Sequence, residues 1–148
     1  MDRSRQDLAR LLIRLMLGIV FVFHGAQKLF GAFDGPGLSN FSGWLTGMGV
    51  PMPGVSAFLA ACAEFFGGLC LILGWFFPLV IVPMAFTMAV AVFAAHWANG
   101  FWNADPTKPG YEFPLTLGVM LVALGMLGPG SIRAPLPIKP KAKEKPQG

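Results

Sequence analysis

Residues Val55 to Trp75 read VSAFLAACAEFFGGLCLILGW. One carboxylate, Glu64, interrupts a run that is otherwise apolar or small. At 1.5 Å per residue such a run is long enough, as a helix, to cross a hydrocarbon core of ~30 Å. An extended strand there would leave its backbone polar groups unpaired in lipid, so the run is read as a membrane helix. Glu64 then falls near the middle of that span. Its helical neighbours three, four and seven positions away are Ala57, Ala60, Ala61, Gly67, Gly68 and Leu71. All but Leu71 are small, and small residues mark the face on which another helix approaches closely. Glu64 is therefore expected to point into a bundle and away from lipid.

Three more apolar runs lie outward from this one. They are Leu8 to Phe30, Phe77 to Asn99 and Phe113 to Leu127, the last being the shortest. The chain has 148 residues, of which 55% are hydrophobic and 12% charged. A soluble domain carries roughly 25% charged residues. Residues Phe65 to Ala104 contain no Asp, Glu, Lys or Arg. A disordered chain is excluded by the high hydrophobicity, and a disulfide mini-protein by having 2 cysteines. The reading is an all-α integral membrane protein, a four-transmembrane-helix bundle. Its membrane domain is placed at residues 1–134, with a disordered basic tail at 135–148.

Prolines and glycines punctuate the spans. Pro78 and Pro114 suit the first turn of a helix, where a missing N–H costs nothing. Gly128-Pro129-Gly130 stops the fourth span. Pro83 is expected to bend the third. The loop from Gly31 to Gly54 carries Leu38, Phe41, Trp44, Leu45 and Met48 at helical spacing. Ser39 and Asn40 are placed to cap it. This segment is read as an interfacial helix with Trp and Phe toward lipid. A lid over the outer mouth of the bundle is the functional version of the same reading.

Orientation follows from the basic residues. Arg3, Arg5, Arg10, Arg14, Arg133, Lys139, Lys141, Lys143 and Lys145 share one side if the number of spans is even. Only Lys28 and Lys108 face the other. The positive-inside rule puts both termini in the cytoplasm of a multi-pass plasma (inner) membrane protein. This asymmetry accounts for the net charge of +4, and nucleic-acid binding is not needed to explain it. The basic start and apolar core also resemble a signal peptide, but His24-Gly25-Ala26 places a bulky residue at the candidate cleavage site.

Ionisable residues inside a membrane ask for a reason. His24, Gln27 and Lys28 share a face of the first span, so Lys28 is the cation on offer to Glu64. His96 and Asn99 close the third span, on the stripe of Ala85 and Ala89. Tyr111 and Glu112 open the fourth. His24, Lys28, His96 and Glu112 fall in the outer third of the bundle, and four-helix bundles build sites from facing side chains of this kind. His24, Lys28 and His96 are the candidate ligand-binding cluster. Glu64 and Glu112 are the candidate catalytic pair, as a proton relay. Each has a structural alternative: a snorkelling Lys28, interfacial histidines, a helix-capping Glu112, or an ion pair of Lys28 with Glu64 that serves packing alone. No metal-ligand spacing occurs. Cys62 and Cys70 stand about 12 Å apart along one helix and cannot bridge. Neither a dinucleotide fingerprint nor a phosphate loop is present, so no intrinsic cofactor is expected.

The stretches RLMLGIVFVFHGAQKLFG (Arg14 to Gly31), GVPMPG (Gly49 to Gly54), AEFFGGLCLILG (Ala63 to Gly74), GFW (Gly100 to Trp102), GYEFPL (Gly110 to Leu115) and GPGSI (Gly128 to Ile132) follow in an order that resembles the DoxX family of small bacterial and archaeal membrane proteins. The resemblance covers nearly the whole chain except the lysine tail. It implies a four-helix membrane bundle. Lys28, Glu64 and Glu112 match recurring polar positions of the family, and His24 fits its HGxxK form. The family usually carries Ser-Leu-Asp soon after the GPG turn. Here Ser131-Ile132-Arg133 follows and that Asp is absent.

Some members are subunits of thiosulfate:quinone oxidoreductases, and others are linked to oxidative-stress and sulfur-handling partners. The function expected here is a subunit of a redox membrane system, quinone-linked or related to sulfur or oxidative stress. Its ligand would be a quinone, its electrons would come from a soluble redox or sulfur-handling protein, and its surroundings would be the lipid bilayer. A non-catalytic scaffold for soluble partners, held by the basic tail, is one alternative. A small-molecule carrier is another, and it would need a homo-oligomer to widen its path.

Overall fold

The computed structural model describes residues 2–77, 79–102 and 107–136. Within them the chain is helical. Helix α1 spans Arg3–Phe30, α2 Gly37–Gly47, α3 Pro53–Leu73, α4 Ile81–Val90 and α5 Glu112–Leu127. From α4 the chain runs on without a break through a π turn, Ala91–His96, and a short 3-10 turn, Trp97–Asn99. The helices at Arg3–Phe30, Pro53–Leu73 and Ile81–Asn99 are long and apolar enough to cross a membrane, and Glu112–Leu127 is a shorter apolar helix. The protein is thus a multi-pass membrane protein.

The four long apolar elements pack in a ring: α1 on α3, α3 on α4, α4 on α5, and α5 back on α1. Their inner faces meet in one core built from Leu17, Phe21, Leu71, Ile81, Met84, Met88, Leu117, Leu121 and Leu124. The outward faces carry exposed Leu12, Met16, Ile19, Phe66, Val82, Phe86 and Met126. Such a surface suits lipid and would be costly in water.

The closest approach is between α1 and α3. A methyl group added at Gly25 would fall on the backbone of Phe65, and one at Gly68 would lie 2.8 Å from the Gly18 carbonyl. The small face read from the sequence around Glu64 serves three neighbours: Gly68 meets α1, Gly67 meets Met84 of α4, and Ala57 meets Phe41 and Leu45 of α2. Ala57, Ala61, Gly67, Gly68 and Leu71 are all buried.

Several expectations need correction. Helix α1 begins at Arg3 rather than near Leu8 and, at 28 residues, rises about 42 Å. The third helix begins at Ile81, not Phe77, so Pro83 sits in its first turn and does not bend it. Pro78 lies outside the described residues. Pro114 does fall in the first turn of α5, and Gly128 ends that helix.

The loop helix α2 forms, but Pro36 precedes it and Ser39 and Asn40 lie inside it. Asn40 donates to the Pro36 carbonyl at 2.9 Å. Phe41 and Leu45 face inward onto Ala57 of α3, so the apolar side of α2 is turned to the protein. Of the tail placed at 135–148, residues 137–148 lie outside the described residues.

Candidate functional site

Residue pairing along α1 and α3 sets the level of each polar group. Gly18 meets Gly68 and Ile72, and Gly25 meets Phe65. Continuing this antiparallel register brings Lys28, in the last turn of α1, beside Glu64, in the middle of α3. The Lys28 ammonium donates to both carboxylate oxygens of Glu64 at 2.6 Å. The Glu64 side chain is 1% exposed and that of Lys28 is 23% exposed. Position along each span puts Glu64 at mid-depth and Lys28 in the outer third. They are at one level, because α3 begins well beyond the end of α1, and α2 packs against that overhang.

A cavity of about 170 Å³ opens beside this pair. Phe21, His24, Lys28, Glu64, Met88 and His96 line it, with Ala91 and the start of α5 closing the far wall. His24 also packs against the Phe113 ring, with centroids 5.7 Å apart. Four of the five predicted site residues, His24, Lys28, Glu64 and His96, therefore share one chamber. Glu112 does not line it, although its neighbour Phe113 does. Glu112 is the first residue of α5, and its backbone N–H donates to the Phe101 carbonyl at 3.0 Å.

His96 arrives in the cavity by a route the sequence did not suggest. The expected stripe of Ala85 and Ala89 is not the inner one. Ile81, Met84, Met88 and Val92 are buried, whereas Ala89 is exposed. A regular helix would have left His96 above Ala89. The π turn bonds each residue to the fifth rather than the fourth, so the chain rotates less per residue. Over Ala91–His96 this lag turns His96 onto the face of Met88.

The ring is then fixed by its own hydrogen bond. His96 Nδ1 lies 2.9 Å from the Pro109 carbonyl oxygen, and Asn99 donates to the same oxygen at 3.0 Å. A carbonyl can only accept, so Nδ1 carries the proton. In the neutral ring Nε2 is left as an acceptor.

Over Lys28 lies α2. The Lys28 ammonium is 5.1 Å from the centre of the Phe41 ring, a cation–π contact. Trp44 stands with its ring centre 6.3 Å from that of His96. Lys28, Pro36, Asn40, Phe41 and Trp44 also border an open groove of about 440 Å³.

At the opposite end of the ring is a residue whose role the sequence reading missed. Arg14 belongs to the basic set that sets the orientation, yet it is 1% exposed. Its guanidinium donates to the carbonyls of Leu71 at 2.7 Å, Ile72 at 3.3 Å and Pro129 at 2.6 Å. It thus ties the end of α3 to the turn after α5. Gly74, at φ 77°, lies directly beneath it, with no room for a side chain. Trp75 donates to the Ala134 carbonyl at 3.0 Å, and Ser131 donates to Asp7. The signal was available: Arg14, Leu17, Phe21, Gly25 and Lys28 form one helical stripe, so Arg14 faces the same way as Lys28.

Cys62 and Cys70 are half-buried and not in a disulfide. Among the described residues no three His, Cys, Asp or Glu side chains gather as metal ligands would.

Residues 9–97 match the DoxX family model. The chain belongs to the DoxX family. It is also similar to "Inner membrane protein YphA" of Escherichia coli (strain K12), at 26% identity over 124 residues. That match covers 82% of this chain and 84% of the relative. No solved structure matches the chain.

Proposed function

We propose that this DoxX chain is a membrane subunit of a redox system and that its cavity receives the head group of a quinone. The topology we propose is four spans, with both termini in the cytoplasm of the inner membrane and α2 at the outer interface. The ring of four apolar helices supports that count. The basic residues Arg3, Arg5, Arg10 and Arg133 at one end support the orientation.

The observation that carries the reading is the chemistry of the cavity wall. A chamber of about 170 Å³ is on the scale of one that takes a single six-membered ring, since engineered cavities of ~150 Å³ bind benzene. Its apolar side, with Phe21, Met88 and Leu117, suits the face of a ring. Its polar side offers a donor and an acceptor. The Lys28 ammonium spends two of its three N–H bonds on Glu64 and keeps a third for a carbonyl oxygen. His96 Nε2 can accept from a hydroxyl. The oxidised ring is matched at one carbonyl by the Lys28 ammonium, and the reduced ring also donates a hydroxyl to His96 Nε2.

In this reading His24, Lys28 and His96 hold the ring. Glu64, the inner station, and Glu112, one residue before the lining Phe113, pass protons toward it. Reduction of a quinone consumes two electrons and two protons. The electrons are supplied by a soluble partner protein. In the assembled system, Glu64→Gln keeps the size and hydrogen-bonding capacity of the side chain while removing its acid. Quinone-dependent turnover is expected to fall at least tenfold in a stably inserted variant. Unchanged turnover would remove Glu64 from the relay.

A further inference from the structure

The end of the bundle opposite the cavity carries more positive charge than its own residues offset. The buried Arg14 guanidinium donates to carbonyls of Leu71, Ile72 and Pro129 and not to a carboxylate. Arg133 lies against it. A Cβ added at Gly74 would stand 2.7 Å from the Arg14 guanidinium and 2.7 Å from Cγ of Arg133, so the two cations are neighbours and repel. The strap that brings Arg133 there is tied down at the next residue. The Ala134 N–H donates to the Leu73 carbonyl at 3.0 Å, and the Ala134 carbonyl accepts from Trp75. Asp7, the acid that meets this strap, is already engaged by Arg10 at 3.1 Å and by Ser131. Among the described residues, no carboxylate pairs with Arg14 or Arg133.

Magnitudes decide what is left over. A helix C-terminus carries about half a negative charge, so the ends of α3 and α5 together offset about one of the two guanidinium charges. About one positive charge remains. Phe76, two residues after Gly74, and Ile132, next to Arg133, are both exposed and apolar.

We infer that Arg133, with Arg14 beneath it, binds the phosphate of an anionic phospholipid whose acyl chains lie along Ile132 and Phe76. The exposed Arg133 can turn its fork onto two phosphate oxygens. Arg14 stays on its carbonyls and adds charge from a place where water screens it poorly. A headgroup with one net negative charge matches the excess. A zwitterionic headgroup brings its own ammonium and leaves the excess in place. A free phosphate matches the charge but gains nothing from the apolar flank. The site stands apart from the quinone reading and does not depend on it. A bound lipid would hold the strap from outside, as Arg14 holds it from within.

The test uses the full chain in mild detergent, with bound lipid counted by native mass spectrometry. The probes are phosphatidylglycerol, phosphatidylcholine with the same acyl chains, and inorganic phosphate. The expected result is one phosphatidylglycerol per chain, held about tenfold more tightly than phosphatidylcholine, as one charge-assisted contact allows. Arg133→Gln should weaken that binding about tenfold, and Arg133→Lys, which keeps the charge, should recover most of it. Arg5→Gln removes the same charge from the first turn of α1 and should change little. Inorganic phosphate in large excess should leave the lipid bound.

Equal binding of the two lipids would remove the charge requirement and overturn the inference. So would no recovery in Arg133→Lys. Equal losses in Arg133→Gln and Arg5→Gln would make this end a diffuse basic field without a site. Displacement of the lipid by inorganic phosphate would make a free anion the occupant, and either result also overturns it.

Discussion

The Lys28–Glu64 pair concentrates the cost and the use of charge in this protein. A carboxylate that is 1% exposed is tolerable in a bundle core only with a partner in good geometry, and two contacts of 2.6 Å supply that. Removing one partner leaves the other charge uncompensated, which typically costs about 3–5 kcal/mol. Glu64→Ala should therefore lower the thermal unfolding midpoint of the detergent-solubilised protein sharply. The double variant Lys28→Met with Glu64→Leu should recover most of that loss while remaining unable to bind the ligand. If the double variant also retains full activity, the pair serves packing alone.

This residue was legible in the sequence, because a lone acid among small neighbours must face a helix. Lys28 as its partner was legible too, from its shared face with His24. The common level of the two was not. Depth inferred from position within one helix fails when two helices are staggered, and the stagger is set by the register of Gly18, Gly25 and Gly68.

At the scale of elements, that glycine register decides whether the pair can form at all. The α1 and α3 backbones touch at Gly25 and Phe65. Gly25→Ala should push them apart, at a cost of about 1–3 kcal/mol for overpacking, and lengthen the reach from Lys28 to Glu64. Gly43, in α2, has nothing within 4 Å of where a methyl would stand. Gly43→Ala should be neutral or stabilise by about 0.5–1 kcal/mol, as for any open helical site. Thermal melts of the two variants side by side separate a packing requirement from a general intolerance of alanine.

The π turn is the element the sequence hid. Hydrophobic periodicity assumes one rotation per residue, and a wider turn breaks that assumption without any marker residue. The sequence reading placed His96 on a face that proves to be outward, and only the turn brings it in. The helix boundaries that moved, Arg3 and Ile81, did so because apolar content marks the part of a helix that lipid covers and not where its hydrogen bonds begin.

Across the whole molecule, two inward-facing cations of α1 brace opposite ends of the ring. Arg14 and Lys28 lie on one stripe, about 21 Å apart at 1.5 Å per residue. Lys28 fixes the end that holds the cavity, and Arg14 closes the other by gathering three carbonyls from α3 and the turn after α5. Arg14→Met would take the side-chain donor from the Ile72 and Pro129 carbonyls, at about 1–3 kcal/mol each where they are buried, while the Leu71 carbonyl keeps the Gly74 N–H. The expected readout is protease cutting within residues 128–134 together with a lower unfolding midpoint. Arg14→Lys should restore only part of both, because an ammonium cannot reproduce the guanidinium fork.

The central claim is that the chamber beside Lys28 and Glu64 is built for a quinone ring. Mass spectrometry of the small molecules retained by the gently solubilised protein tests it most directly. The account predicts about one quinone per chain in the wild type and at least a tenfold loss in Ala91→Met at equal yield of folded protein. A wild type that retains no more quinone than an unrelated membrane protein prepared alongside it, or an Ala91→Met variant that retains as much as the wild type, would contradict it.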